Sequence, residues 1–303
     1  MMASLKLPNL IILGVTKAGT TSVFAALAEH SDICGSSTKE TYVLTPARFG
    51  GVVELEQYSK VFSHFGSEKY LMESTPSYFY GSSTIADVIA TQLPGAKLLL
   101  VLREPAERCY SLFRFNQSRH QLPTEMTFAE YLGQCRLLGE RPEQSRDLHP
   151  YRGLTGGRYS HYIEPWLGSF TNSGLRVAFF DDLRRDPTAF LRGTLEWLNL
   201  SQDARIQIPT ENRTTLARNS KLQSLALKLN SRLERPFRQH PAVKVRLRGA
   251  YYALNRQRPS DAKCLADNSL LDELRLEFHD SNAATADSLM RYGVTNLPSW
   301  LCV

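Results

Sequence analysis

The chain has 303 residues, 42% of them hydrophobic and 22% charged, with a formal net charge of +6. That length buries a sizeable core, and that composition excludes a disordered or fibrous chain. No apolar run approaches the roughly 20 residues that span a bilayer, and no signal-peptide succession is evident at the N-terminus, so the cytoplasm is the expected compartment. The cysteines, at 34, 109, 135, 264 and 302, form no CxxC pair and no metal-ligand spacing, and are expected as buried or free thiols.

In chain order, the apolar run Leu10 to Leu13 predicts a buried strand that stops at Gly14. An amphipathic helix is predicted from Thr20, with Val23, Phe24, Leu27 and Ala28 on one side. The polar stretch Ser31 to Arg48 is too long for a simple connection, which marks it as a functional loop. A short helix from about Glu54 to Phe65 precedes a second strand at Tyr70 to Glu73, then a turn enforced by Pro76. A helix around Ile85 to Leu93 leads into a third strand, Lys97 to Leu102. Glu104-Pro105 opens another helix, on which Arg108, Ser111 and Arg114 fall at helical spacing. Further helices are expected near Phe128 to Leu138 and from Arg158, the latter carrying Tyr159, Tyr162 and Trp166. A fourth strand, Leu175 to Phe180, is followed by a helix starting at Asp186-Pro187. Apolar strands alternating with helices predict an α/β fold with a parallel sheet covered on both faces.

Beyond Leu200 the chain reads as polar and then helical. Between Arg205 and Arg248 eleven Lys/Arg stand against Glu211 and Glu234. This stretch is either a solvated helical face or an attractor of an anionic ligand. Helix-turn-helix, zinc-finger and aromatic RNA-binding signatures are not evident, so nucleic acid is not expected as a partner. The whole chain, 1–303, is expected to be one domain, with a core at about 8–200 and a helical, basic part at about 201–303.

The first strand, its glycine turn and the helix start make an anion cradle, where free backbone N–H groups meet the positive end of a helix dipole. Gly14 and Gly19 fit the glycine spacing of a phosphate loop and Thr21 its closing hydroxyl. Thr20, however, stands where nucleotide hydrolases need Lys, and the lysine lies inside the loop at Lys17. Because ligands of open parallel sheets bind beyond the strand carboxyl ends, Lys17, Ser74/Thr75 and Arg103 share one edge if their strands are adjacent. Such an edge would suit a ligand with two separated phosphate groups.

At this point Gly14-Val-Thr-Lys-Ala-Gly-Thr-Thr-Ser22 and Leu100-Val-Leu-Arg-Glu-Pro-Ala-Glu-Arg-Cys-Tyr-Ser111 resemble the two signature segments of sulfotransferases that use 3′-phosphoadenosine 5′-phosphosulfate (PAPS). Glu73-Ser-Thr-Pro-Ser-Tyr-Phe79 is similar to a third segment, found in the heparan-sulfate-type branch that includes 3-O- and N-sulfotransferases. The resemblance covers about residues 8 to 200 and implies a three-layer, P-loop-like fold with a central parallel sheet flanked by helices. It implies that the loop Thr16, Lys17, Ala18, Gly19, Thr20, Thr21 and Ser22 holds the 5′-phosphosulfate, with Lys17 on the leaving phosphate. Arg103 and Ser111 are implied as 3′-phosphate ligands, and Arg218 as a further contact from the loop Glu211 to Lys221. Glu40 is implied as general base with Lys39 beside it, and no catalytic metal is expected. Val43-Leu44 replaces an aromatic pair of that branch, and Ser74 replaces a lysine, which points away from an anionic heparan-like acceptor. The expected enzyme is a soluble, bacterial-type O-sulfotransferase acting on a small-molecule, glycan or lipid-linked hydroxyl. A nucleotide kinase or NTPase, and a non-catalytic nucleotide-binding protein of the same fold, are the alternatives. Tyr78, Tyr80, Tyr159 and Tyr162 either line an acceptor cleft or belong to the core.

Overall fold

A computed structural model of the protein describes residues 5–138, 150–202 and 261–302, without the side chains of 261–266. Its centre is strand β1, Leu10–Gly14, in which every residue is buried. A strand covered on both faces needs no polar alternation, and this one has none. The helix α1, Thr20–Leu27, follows and turns Val23, Ala26 and Leu27 into the core.

The remaining strands are β2, Ile33–Gly35; β3, Tyr70–Ser74; β4, Lys97–Leu102; and β5, Leu175–Phe179. They lie in the order β2-β3-β1-β4-β5, and every pairing is parallel. The architecture is therefore the expected one, a central parallel sheet flanked by helices. The chain leaves β1 toward one edge of the sheet and later returns to its other side. The carboxyl ends of β3, β1 and β4 thus flank the point where strand order switches, the usual ligand position in such sheets.

The strand β2 is a departure from the sequence reading, which treats Ser31 to Arg48 as irregular. It has only three residues, pairs on one side with Tyr70–Met72, and sits among polar neighbours. An edge strand that short carries no periodic signal. The loop after it is fixed in steps along β3: Ser36 N donates to the Met72 carbonyl (2.8 Å) and Glu40 N to the Ser74 carbonyl (3.0 Å).

Further along lie α2, Glu56–Val61; α3, Ser82–Gln92; α4, Pro105–Ser118; α5, Phe128–Leu138; and α6, Ser160–Ser169. After β5 come α7, Phe180–Arg185, and α8, Pro187–Trp197. The start of α4 is set by chemistry at its cap. The Glu104 carboxylate accepts from Ala106 N (2.9 Å) and Glu107 N (2.8 Å), and Pro105 occupies a first-turn position. Helices α9, Asp261–Glu277, and α10, His279–Arg291, close the described chain. Leu274 and Phe278 join Phe113, Phe128 and Tyr131 in a second apolar cluster beside α4 and α5. The Asp267 carboxylate accepts from the Tyr110 hydroxyl (2.7 Å), tying α9 to α4.

The basic stretch 205–248 and Arg218 lie outside the described residues. Cys34, Cys109 and Cys135 are buried free thiols and Cys302 is an exposed one. Among the described residues no helix is long and apolar enough to cross a membrane.

Gly19 caps α1 with φ 79°, and a Cβ there would sit 2.7 Å from Leu183 Cδ2. Gly19→Ala is expected to destabilise the fold by about 1–3 kcal/mol in denaturant unfolding. Unchanged stability would show that the turn does not require the left-handed backbone.

Candidate functional site

The site is built where the carboxyl ends of β1, β3 and β4 meet. The loop after β1 bends through positive φ at Lys17 (75°) and Gly19 (79°), so its amides line a concave turn. The amides of Thr20 and Thr21 open α1, while Ser22 N already donates to the Gly19 carbonyl (3.0 Å) and Ala18 N to the Val15 carbonyl (3.1 Å). Thr16 and Lys17 are half-buried, Ala18 and Thr20 are buried, Ser22 is half-buried and Thr21 is exposed. The seven expected loop residues run from the end of β1 into the first turn of α1.

Arg103 comes off the end of β4 and braces this loop. Its Nη1 donates to the Lys17 carbonyl (3.0 Å), its Nη2 pairs with Glu107 (3.2 Å), and its guanidinium lies over the Phe180 ring at 4.5 Å. The Tyr159 hydroxyl holds the Arg103 carbonyl (2.6 Å). Arg103 Nε is buried and has no hydrogen-bond partner among the described residues. The arginine thus braces the loop and keeps one buried N–H unpartnered among the described residues. Ser111 is half-buried on α4, and among the described residues no hydrogen bond joins it to Arg103. The neighbouring arginines divide differently. Arg108 is buried and donates to the Gly153 carbonyl, while Arg114 lies over Tyr110 at 5.9 Å.

Lys39 and Glu40 arrive on the loop after β2. Lys39 Nζ lies 3.0 Å from Glu40 Oε1, and the Tyr42 hydroxyl donates to Glu40 Oε2 at 2.5 Å. Burial pushes the Glu40 carboxyl up, but the Lys39 charge and the Tyr42 hydrogen bond outweigh it and hold the pKa below the ordinary value. Val43 and Leu44 are buried and belong to the main core.

Lys17 is the most perturbed cation of the group. Its ammonium lies 4.1 Å from the Phe115 ring centroid, and burial together with Arg103 and Arg119 lowers its pKa from 10.5 to about 8, with Glu40 pulling the other way. Arg119 shares the same ring, with its guanidinium carbon 5.3 Å from the centroid. The charge of Arg119 also acts on Glu40. Phe115, Arg119 and Tyr42 are the site residues that sequence reading misses. Phe115 and Arg119 stand four apart at the end of α4, and only the tertiary fold brings that face to Lys17.

Of the six non-glycine residues with positive φ among those described, Lys17, Glu40 and Tyr42 lie here. Backbone strain of about 1–3 kcal/mol per residue of this kind persists where surrounding contacts over-determine it. Tyr78 and Tyr159 are core residues, which closes one of the two options for them, whereas Tyr80 and Tyr162 are half-buried. Among the described residues no group of three or more His, Cys, Asp or Glu is placed to hold a metal ion.

A family model described as a sulfotransferase domain matches residues 7–233. The chain is 27% identical over 199 residues to the bifunctional heparan sulfate N-deacetylase/N-sulfotransferase 1 of Caenorhabditis briggsae, covering 65% of this chain and 23% of that protein. It is 36% identical over 113 residues to the membrane-associated sulfotransferase kil1 of Dictyostelium discoideum, covering 36% of this chain and 23% of that one. The matched region is thus less than a quarter of either relative's length. Among solved structures, a sulfotransferase from Alicyclobacillus acidocaldarius aligns with a TM-score of 0.58 at 21% identity, over 78% of this chain and 96% of that one. That likeness supports the fold.

Because Lys39 and Tyr42 hold Glu40 ionised, Lys39→Met should raise the midpoint of the Glu40 carboxyl in a 13C-detected titration. A depressed folded-state pKa also means that this pair's stabilisation is present at neutral pH and lost as pH falls through that pKa. An unchanged midpoint in the variant would show that the pair does not form in solution.

Proposed function

The chain belongs to the sulfotransferase domain family, and from that premise we propose that it transfers a sulfuryl group from PAPS to an acceptor hydroxyl. The single observation that carries this reading is the convergence of Lys17 and Glu40, from separate loops, in one cluster where the Glu40 charge acts on Lys17 and the Arg119 charge acts on both. A phosphate loop with its lysine inside the turn places the cation at the anion, and a carboxylate stands opposite to take a proton.

The residues present fit the donor. The loop 16–22 offers amides, hydroxyls and the Lys17 ammonium to the 5′-phosphosulfate. Arg103, with its buried Nε still unpartnered among the described residues, suits the 3′-phosphate once Glu107 gives way to it. Ser111 and Arg218 are further proposed contacts for that phosphate. The donor supplies an electrophilic sulfur and a phosphate leaving group. The acceptor oxygen forms its bond to sulfur as the sulfur–phosphate oxygen bond breaks, and the electron pair stays with the phosphate. Glu40 takes the acceptor's proton, so the products are the sulfate ester and 3′-phosphoadenosine 5′-phosphate (PAP).

Lys17 and the loop amides stabilise charge on the leaving phosphate, an oriented electrostatic effect that a dry, preorganised site makes large. Lys39 keeps Glu40 ionised and adds positive charge beside the sulfuryl oxygens. The acceptor class is a small molecule, a glycan or a lipid-linked alcohol. Ser74 at the end of β3 leaves that side without the lysine of the polysaccharide-modifying branch.

PAP at 100 times its dissociation constant should stabilise the protein by about 2.7 kcal/mol in thermal unfolding. Stabilisation by ATP–magnesium without any by PAP would replace the reading with a nucleotide kinase or hydrolase. Anion binding needs the charged form of Lys17, so PAP affinity should fall as pH rises through about 8. Lys17→Met should weaken binding and flatten that pH dependence; a variant that keeps the wild-type pH profile would assign the titration elsewhere. Glu40→Gln should keep PAP binding while slowing sulfuryl transfer by about 10²–10⁴-fold.

A further inference from the structure

Glu73, the last residue but one of β3, is fully buried. A buried carboxylate is costly unless hydroxyls or amides satisfy it, so its partners identify what it is there to hold. Its Oε1 accepts from the Tyr58 hydroxyl of α2 (2.9 Å). Its Oε2 accepts from Thr41 Oγ1 (2.8 Å) and Thr75 Oγ1 (2.9 Å). Thr41 directly follows Glu40. The Thr75 hydroxyl, having given its proton to Glu73, accepts from Tyr42 N (3.4 Å), and the Tyr42 hydroxyl closes the circuit on Glu40 Oε2.

These contacts grip the loop on both sides of Glu40. Before it, the backbone is tied to Ser74, the neighbour of Glu73, through Glu40 N and the Ser74 carbonyl. After it, Thr41 is bonded to Glu73 directly and Tyr42 through Thr75. The segment so held carries positive φ at both Glu40 (63°) and Tyr42 (56°), a backbone that would relax without an external clamp. Burial pushes the Glu73 carboxyl up, while the hydroxyls of Thr41, Tyr58, Thr75 and Tyr78 pull it down.

We propose that Glu73 is the positioning residue for Glu40: a buried carboxylate whose hydroxyl shell holds the strained Glu40–Tyr42 segment so that the Glu40 carboxylate faces Lys17. Glu73 is itself fully buried and acts on Glu40 through Thr41 and Thr75. The inference rests on the reading of Glu40 as general base.

The test uses the full-length protein and PAPS alone, following PAP release to water, with PAP-induced thermal stabilisation as the binding readout. Glu73→Gln keeps the shape of the side chain but leaves one acceptor oxygen where there were two. Either Tyr58 or the two threonines then lose their acceptor, so Thr41→Val, which removes one threonine bond outright, is measured beside it. Glu73→Gln should leave PAP binding near wild type, slow PAP release at least tenfold, and move the acidic limb of the pH–rate profile. The double variant Glu73→Gln/Glu40→Gln should be no slower than Glu40→Gln alone, because both losses act through one group. If Glu73→Gln fails to fold, Thr41→Val removes one hydroxyl at similar volume and should show the same pattern. Wild-type rates in the folded variants, or losses that multiply in the double variant, overturn the proposal. If Glu40→Gln itself retains full PAP release, the reading of Glu40 falls first, an outcome distinct from an active Glu73→Gln beside an inactive Glu40→Gln.

Discussion

The constraint on which the site depends is the bend between Gly14 and Thr20, where a lysine and a glycine take up left-handed backbone within one short turn. A Cβ at Gly14 would lie 2.9 Å from the Phe79 side chain, and one at Gly19 would meet Leu183, so the turn is packed from both sides. The bend ends β1 where the amides of the turn and the start of α1 converge. It also presents the Lys17 carbonyl to Arg103, which links the loop to the end of β4. Strand, turn and arginine form one braced unit, and the half-buried lysine side chain carries its charge.

Around that unit the protein gathers cations that repel one another. Lys17 is pressed against Phe115 and depressed in pKa by burial, Arg103 and Arg119, with Glu40 as the counterweight. Such a cluster is unfavourable without an anion and favourable with one, because a bound polyanion replaces mutual repulsion with attraction. The same logic separates the roles of the acids. Glu107 neutralises Arg103, Glu40 is held ionised by Lys39 and Tyr42, and Glu73 stays in the core, spoken for by hydroxyls. Residues of one chemical type thus take different parts according to burial and partners.

Much of this was legible before any coordinates. The apolar runs at Leu10 and Lys97 carry enough β-branched and aliphatic residues to mark buried parallel strands, and the Glu104-Pro105 pair marks a helix start by its capping chemistry. Lys17 and Arg103 meet, as their places at strand ends suggest, and Lys39 and Glu40, which only the family resemblance singles out, lie close enough to act on Lys17. What escaped had no local signature. The strand β2 is too short for periodicity, and the ring of Phe115 meets Lys17 only because α4 crosses back over the loop. Glu73 reads in sequence as one polar residue ending an apolar strand; its importance comes from hydroxyls on Thr41 and Tyr58, which are remote in the chain.

The central claim is that one ligand with two separated phosphates spans from the loop of β1 to the end of β4, beneath the Glu40 carboxylate. A crystal structure of the full chain with PAP tests it most directly. The account predicts the 5′-phosphate against the amides of residues 16–22 and the Lys17 ammonium, with the 3′-phosphate on Arg103. PAP bound elsewhere, or bound with Lys17 still parked on Phe115 and Arg103 still paired to Glu107, would contradict it.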